Sequence, residues 1–315
     1  MKKTAAMILA LVLTLSLSAA AMAEDTYRVG ICQLVQHVAL DAATQGFQDA
    51  LKEKLGDKVT FDVQNASGDS NTCSTIVNNF ISGGVNLIMA NATPALQAAV
   101  AATGDIPILG TSVTDYATAL DIDDWNGATG MNVSGTSDLA PLEQQANMLH
   151  ELFPDAKKVG LLYCSAEPNS KYQVDVITGY LTALGYESVE YTFADSNDVA
   201  SVTQNACDGC DVLYIPTDNT AASCTEAIRN VLEPAMKPAI VGEEGICAGC
   251  GVATLSISYY DLGYATGEMA YEVLVNGADV ATMNVRFAPN VTKEYNAEMC
   301  ALLGVQIPED YVAIQ

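Results

Sequence analysis

Short runs rich in Val, Ile, Leu and Ala alternate along the chain with segments whose apolar residues recur every three or four positions. The runs fall at 29–35, 59–65, 85–91, 106–113, 130–133, 158–165, 188–193, 211–216, 238–243 and 253–258. Most are nearly continuous in apolar character, which is what parallel strands covered on both faces require. Between them, Ala39, Ala42, Ala43, Phe47, Ala50 and Leu51 form one helical stripe, and Leu142, Ala146, Leu149 and Leu152 form another. Strands and helices in strict alternation predict βαβ units with right-handed crossovers, and so an α/β fold.

Two sets of these units are present, the first ending near Val133 and the second near Ser258. The segment Gly135-Thr136-Ser137-Asp138 ahead of a helix reads as a crossing and an N-cap. A further helix over 260–276 follows a second crossing near Ser258. A chain that crosses more than once makes a hinged clamshell. The expected fold is therefore two Rossmann-like lobes with parallel sheets joined by a hinge. Residues 24–133 and 257–283 would form the N-terminal lobe, and 134–256 and 284–315 the C-terminal lobe.

The first residues set the compartment. Lys2 and Lys3 precede an apolar run from Ala5 to Leu17, and small residues end at Ala21-Met22-Ala23. Such an order predicts a secretory signal peptide over residues 1–23, with cleavage after Ala23. The expected location is the periplasm or the extracellular face of the cell membrane. Removing those residues takes away two lysines and no acid, moving the formal charge from -25 to -27 and leaving 292 residues. That length exceeds what one core usually organises. So acidic a chain repels nucleic acid and anionic surfaces, and neither is an expected partner.

Function should sit beyond the carboxyl ends of the strands, where open α/β sheets bind their ligands. Those ends carry Gln33, Gln36, His37, Asn65, Asn91, Thr93, Ser112, Asp115, Ser165, Glu167, Asn169, Ser170, Asp218, Asn219, Glu243 and Glu244. Amides, hydroxyls and carboxylates dominate, and Lys171 is the one base near them. Anionic ligands normally meet an Arg or Lys clamp, so a zwitterion fits better. Its carboxylate can take helix N-terminal N–H groups, and its ammonium needs an acid such as Asp218, Glu243 or Glu244. Taken singly, Thr93, Ser112, Ser170 and Asp218 also read as helix caps.

A resemblance then becomes specific. The segment Gly30-Ile31-Cys32-Gln33-Leu34-Val35-Gln36-His37, followed by Ala39-Leu40-Asp41-Ala42-Ala43, resembles the opening of a periplasmic-binding-protein type I family. Its members are substrate-binding proteins of ABC transporters, some of them tryptophan or tyrosine binders. The similarity continues at Ala90-Asn91-Ala92-Thr93-Pro94-Ala95, Gly110-Thr111-Ser112-Val113-Thr114-Asp115 and Gly135-Thr136-Ser137-Asp138. It extends through Tyr214-Ile215-Pro216-Thr217-Asp218-Asn219-Thr220, Gly242-Glu243-Glu244-Gly245 and Ser258-Tyr259-Tyr260-Asp261-Leu262-Gly263.

The resemblance implies capture of a small amino acid, aromatic or hydrophobic, by closure of the lobes. Delivery would be to an ABC permease in the membrane, by a monomer that needs no cofactor. It puts Gln33, His37, Thr93, Ser112 and Asp115 on the first wall of the pocket. Ser165, Glu167, Asn169, Ser170, Asp218, Asn219 and Glu243 form the second. On this reading Asp218 pairs the ammonium, groups near Ser112 and Ser170 take the carboxylate, and His37 flanks the side chain. Cys164 departs from the small or polar residue expected beside Ser165.

Rival motifs are few. Cys207, Cys210, Cys247 and Cys250 form two CxxC units, the usual mark of structural zinc. One pair precedes a strand and the other follows the next strand, which puts them about 17–20 Å apart. Short disulfides or free thiols are the expected state of the nine cysteines, an odd number that leaves at least one unpaired. An enzyme is not expected, since the P-loop, G-x-G-x-x-G and G-x-S-x-G motifs are absent and His37 and His150 are the sole histidines. His150 reads as a partner of a helix C-terminus. A sugar-binding protein of the same architecture is the alternative. Such sites stack a sugar ring on an aromatic face, and Trp125 falls in a loop.

Overall fold

The computed structural model describes residues 26–288 and 290–314; the leader expected over 1–23 lies outside the described residues. The first lobe opens with β1 (Tyr27–Gln33), α1 (Val38–Leu55), β2 (Val59–Asn65), α2 (Ser70–Ser82) and β3 (Leu87–Asn91). It continues with α3 (Thr93–Ala102), β4 (Ile108–Val113), α4 (Tyr116–Leu120) and β5 (Val133–Ser137). The second lobe begins with α5 (Leu142–Leu152), β6 (Lys158–Cys164), α6 (Pro168–Ala183), β7 (Glu187–Phe193) and α7 (Val199–Gly209). Then come β8 (Val212–Ile215), α8 (Asn219–Ser223), α9 (Thr225–Leu232), β9 (Ala239–Val241), α10 (Glu244–Gly249) and β10 (Ala253–Ser256). The chain returns to the first lobe with α11 (Tyr259–Leu274) and β11 (Arg286–Phe287), and ends in the second with β12 (Thr292–Tyr295), α12 (Ala297–Leu303) and β13 (Val312–Ala313).

Strand order is β11-β5-β4-β3-β1-β2 in one sheet and β13-β12-β10-β9-β8-β6-β7 in the other. Every pairing is parallel except β10 with β12. The continuous apolar character of the strands follows from helices on both faces. Ile88, Phe80 and Leu96 pack on one face of the first sheet, and Met89, Phe47 and Met269 on the other. In the second sheet Leu161, Tyr214 and Ile177 lie on one face, and Leu213, Ile228 and Ile246 on the other. Helix α11 seats against α1 so closely that a Cβ on Gly263 would stand 1.9 Å from the Ala43 carbonyl oxygen.

The first crossing differs from the expected one. The strand expected at 130–133 runs instead from Val133 to Ser137, and the chain crosses after it, through Asp138 to Pro141, where α5 is capped. Its polar residues stay buried because each finds a partner. Ser134 Oγ donates to the Met283 carbonyl, and Thr136 Oγ1 lies 3.1 Å from Thr111 Oγ1 and 2.8 Å from Thr266 Oγ1. Gly135, at φ +148°, is required there, since a Cβ would sit 2.0 Å from the Gly110 carbonyl oxygen. Residues 286–287 also pair with β5, so 134–137 and 286–287 belong to the first sheet, beyond the boundaries expected for that lobe.

All nine cysteines are free thiols. Cys207, Cys210, Cys247 and Cys250 are buried in one apolar cluster with Leu213 and Val241, where Cys behaves as a small hydrophobe. His150 stands in the last turn of α5 and meets the Tyr186 hydroxyl at 2.8 Å, which in turn donates to the Phe153 carbonyl beyond the helix end.

Candidate functional site

The carboxyl ends of both sheets face each other across a cleft. On the first lobe, the Gln33 amide is fully engaged: Nε2 donates to Asp41 and the Val35 carbonyl, and Oε1 accepts from Thr44. Asn91 Nδ2 donates to the Leu40 carbonyl and to Thr44, which leaves Oδ1 with no protein partner. Ala92 at φ +93° and Ser112 at φ +54° adopt left-handed backbone at the ends of β3 and β4. Such conformations cost about 1–3 kcal/mol each and concentrate at functional sites. They aim Thr93 and Ser112, both buried, with hydroxyls that also lack a partner. Asp115 caps α4 by accepting from the Thr118 N–H.

On the second lobe the acids are committed to their own backbone. Asp218, 1% exposed, accepts from the N–H groups of Ala221 and Cys164 and from the Ser170 hydroxyl, all within 2.8 Å. Glu243 accepts from the N–H groups of Gly245 and Ile246 at 2.6 Å, capping α10. Glu167 gathers the N–H groups of Asn219 and Thr220 together with the Asn219 amide and the Thr220 hydroxyl. Asn169 donates to the Thr217 carbonyl but keeps Oδ1 unpartnered. Ser165 is exposed, with its hydroxyl turned to the Phe193 carbonyl.

Asp138, read from sequence as a cap for the following helix, instead sits in the crossing segment itself. It is 3% exposed; one oxygen accepts from the Tyr259 hydroxyl at 2.9 Å, and Oδ1 has no partner. Burial pushes its carboxyl above the ordinary carboxylate value, against the bonds from Tyr259 and Thr114. Burial likewise raises Glu243 to about 7. Asp218 is raised by burial and by the charge of Glu167, opposed by its three donors. His37 moves the other way: burial lowers it, while the Asn219 bond and the charges of Glu167 and Asp41 oppose the shift.

Among the described residues, eight buried side-chain oxygens lack a protein partner, and five of them belong to Asn91, Thr93, Ser112, Asp138 and Asn169 at these facing edges. Buried polar groups are normally satisfied, so this concentration marks a place built for a ligand. Thr93 and Asn169 line one narrow space between the lobes with Asp115, Pro168 and Tyr172. A cavity of about 140 Å³ opens at the mouth, walled by Leu34, Val35 and Pro94 on one side and Cys164, Glu167 and Asn219 on the other. No Lys or Arg lines either space. A larger cavity of about 540 Å³ lies beside the hinge between α1 and α10, with Glu243 and Tyr259 in its lining. The polar set marks the candidate site, because a few polar groups, rather than volume, fix a ligand's orientation.

Of the twelve residues anticipated from sequence, Thr93, Ser112 and Asn169 present unpartnered groups here, and His37 meets Asn219 across the cleft. Asp115, Asp218 and Glu243 cap helices. Gln33, Glu167 and Ser170 brace their own lobes, and Ser165 turns outward. Asn91 was read at a strand end but not placed on a pocket wall, and Asp138 and Tyr259 were not anticipated as site residues. Their signal lay in the polar residues closing β3 and in the two crossing segments.

Comparison with known proteins finds relatives over nearly the whole chain. The family described as ABC transporter substrate binding protein matches residues 28–314. A tyrosine-binding protein of Clostridioides difficile (strain R20291) is 40% identical over 249 residues, 78% of this chain and 72% of that one. A Streptococcus pneumoniae ABC domain in complex with L-Trp superposes with a TM-score of 0.86 at 31% identity, over 90% of this chain and 96% of the other. The ligand-free, open structure of a substrate-binding protein with adhesive properties from Clostridium difficile reaches 0.69 at 36% identity, over 92% and 99%. The chain belongs to the ABC transporter substrate binding protein family.

Proposed function

We propose that the protein captures a small amino acid, aromatic by preference, between its lobes and presents it to the permease of an ABC importer on the outer side of the membrane. One observation carries the reading. The unpartnered groups comprise three acceptor oxygens, on Asn91, Asp138 and Asn169, and two hydroxyls able to donate, on Thr93 and Ser112. An α-ammonium offers three donors and an α-carboxylate needs them, so the set matches a zwitterion group for group.

In this reading Asp138 replaces Asp218 as the ionic partner of the ammonium, because both Asp218 oxygens already accept within their own lobe. The carboxylate is taken by Thr93, Ser112 and the N–H groups opening α3, whose helix dipole favours an anion. The absence of Lys and Arg from the lining fits a ligand with no net charge. Relatives that bind tyrosine and tryptophan support an aromatic side chain. The role is binding and release by hinge motion, with no bond made or broken.

Thermal-shift screening tests this directly, since a ligand that binds the folded state raises the melting temperature by mass action. L-Tyrosine or L-tryptophan should shift the transition, and D-glucose and D-galactose should not. Shifts with the sugars and none with amino acids would overturn the reading.

A further inference from the structure

The two segments in which the chain crosses between the lobes are tied to each other by a side-chain bond. Asp138 opens the first crossing, directly after β5, and Tyr259 follows the second as the first residue of α11. The Tyr259 hydroxyl donates to Asp138 Oδ2 at 2.9 Å across 121 positions of sequence, and both residues are buried. Its ring packs with Ala39 and Ala43 of α1 and with Ile257 and Leu262. Ser258 caps α11 by accepting from the Asp261 N–H. A packed ring on a capped helix has few rotamers open to it, so the hydroxyl is delivered to one place.

The carboxyl of Asp138 is held by one oxygen and free at the other, since Oδ1 is buried with no protein partner. The other titratable groups that face it are engaged elsewhere. Tyr116 donates to the Thr136 carbonyl at 3.2 Å, and Glu243 accepts from the Gly245 and Ile246 N–H groups. Each feels the Asp138 charge through space. Thr217 of the second lobe bonds the same Tyr259 hydroxyl. The strength of the bond from Tyr259 depends on the state of the acid, because a hydroxyl bonds a carboxylate roughly twice as strongly as a neutral acceptor.

We propose that Tyr259 is a positioning residue for ligand capture: it holds Asp138 by Oδ2 so that Oδ1 meets the ligand's ammonium, and it lets the ligand's charge stiffen the hinge. The inference rests on the amino-acid reading of the cleft. An ammonium at Oδ1 favours the carboxylate. The carboxylate strengthens the bond from Tyr259, which holds the two crossings together, so capture and closure reinforce each other.

Calorimetric titration with L-tyrosine as a pH series, on the parent protein and on Tyr259→Phe, tests this. Loss of the hydroxyl should weaken binding about fivefold. It should also move the rise of affinity with pH to higher pH, because a bond that favours the Asp138 carboxylate is gone. Replacing Tyr259 by 3-fluorotyrosine keeps the shape but makes a stronger donor, and should move the same rise to lower pH. That measurement decides the matter by itself where Tyr259→Phe does not fold. Parent-like affinity and pH dependence in Tyr259→Phe would overturn the assignment. So would weaker binding with an unmoved pH dependence, which is loss of packing alone. Asp138→Asn separates this from the reading of the cleft. If it weakens binding while Tyr259→Phe does not, the role of Tyr259 alone falls. If it leaves the affinity unchanged, or if the parent does not bind L-tyrosine, the reading of the cleft falls and the inference with it. In the Asp138→Asn background, Tyr259→Phe should change the affinity less than about twofold.

Discussion

Nε2 of His37 lies 3.3 Å from Oδ1 of Asn219, joining two residues 182 positions apart and on opposite lobes. His37 stands at the N-cap position of α1, and Asn219 opens α8. Glu167 fixes Asn219 from behind through its backbone N–H at 3.0 Å and its side-chain amide at 2.7 Å. The contact exists when the lobes meet, so it acts as a latch on the closed form. Asn219→Ala removes the one of its side-chain hydrogen bonds that joins the lobes, about 1 kcal/mol, and should shift the closed-to-open ratio of the unliganded protein about fivefold toward open. Small-angle scattering should show a larger radius of gyration; an unchanged profile would remove the latch.

The same latch gives closure a pH dependence. Burial lowers His37 from its ordinary value of 6.5 in the closed form, so that form binds fewer protons than the open one. Closure is then fully supported above the ordinary histidine range, and is progressively lost as pH falls through it toward the depressed value. A His37→Phe variant should lack this component. Distance measurements between spin labels on the two lobes, taken as a pH series, check it; identical series for parent and variant would exclude His37 as the cause.

Ser112 separates binding from folding. At φ +54° its backbone suits glycine, and its hydroxyl has no protein partner. Ser112→Gly relieves strain while adding chain entropy to the unfolded state, so stability should stay within about 1 kcal/mol of the parent. Ligand affinity should nevertheless fall about fivefold through the lost hydroxyl. Ser112→Val loses the same hydroxyl and should also lower Tm, because it puts a β-branched residue at positive φ. Melting curves and titration of the two variants read both effects, and an affinity preserved in Ser112→Gly would take Ser112 out of the site.

How much of this was legible in the sequence depended on whether local pattern or tertiary partners decided the matter. β1 and β6 were readable from long, mostly apolar runs, and β2 from the period-two alternation of Val59, Phe61 and Val63. The strand from Val133 to Ser137 was not, because Ser-Gly-Thr-Ser looks like a turn until Thr111, Thr266 and the Met283 carbonyl are known to satisfy it. Short edge strands such as Arg286–Phe287 carry no periodicity at all. At the site, residue type at strand ends found Thr93, Ser112 and Asn169. It could not distinguish an acid spent on a helix cap from one left free, which is the difference between Asp218 and Asp138.

Asp218 illustrates the cost of the first kind. Removing its carboxylate strands the Cys164 and Ala221 N–H groups and the Ser170 hydroxyl in a buried setting. Asp218→Ala should destabilise the protein by about 2–4 kcal/mol. Asp218→Asn, which keeps an acceptor, should cost less. Urea denaturation of both variants measures this, and an alanine variant as stable as the parent would show that the three bonds contribute little.

Asp138 is the second kind. Burial holds its carboxyl above the ordinary 3.8, so the folded, unliganded protein binds an extra proton between those values and loses stability as pH rises through them. An ammonium beside Oδ1 reverses that preference, which makes binding release a proton and strengthens affinity with rising pH over the same window. Asp138→Asn can still accept from the Tyr259 hydroxyl but carries no charge. Its unliganded Tm should match or exceed the parent's, while amino-acid affinity falls by about 2 kcal/mol or more, roughly thirtyfold in Kd. Calorimetry in buffers of different ionisation enthalpy reads both the affinity and the proton released at acidic pH. If the asparagine variant binds as tightly as the parent, the ammonium is held elsewhere, and Glu243 becomes the acid to test, since its two oxygens accept from two donors where Asp218 accepts from three.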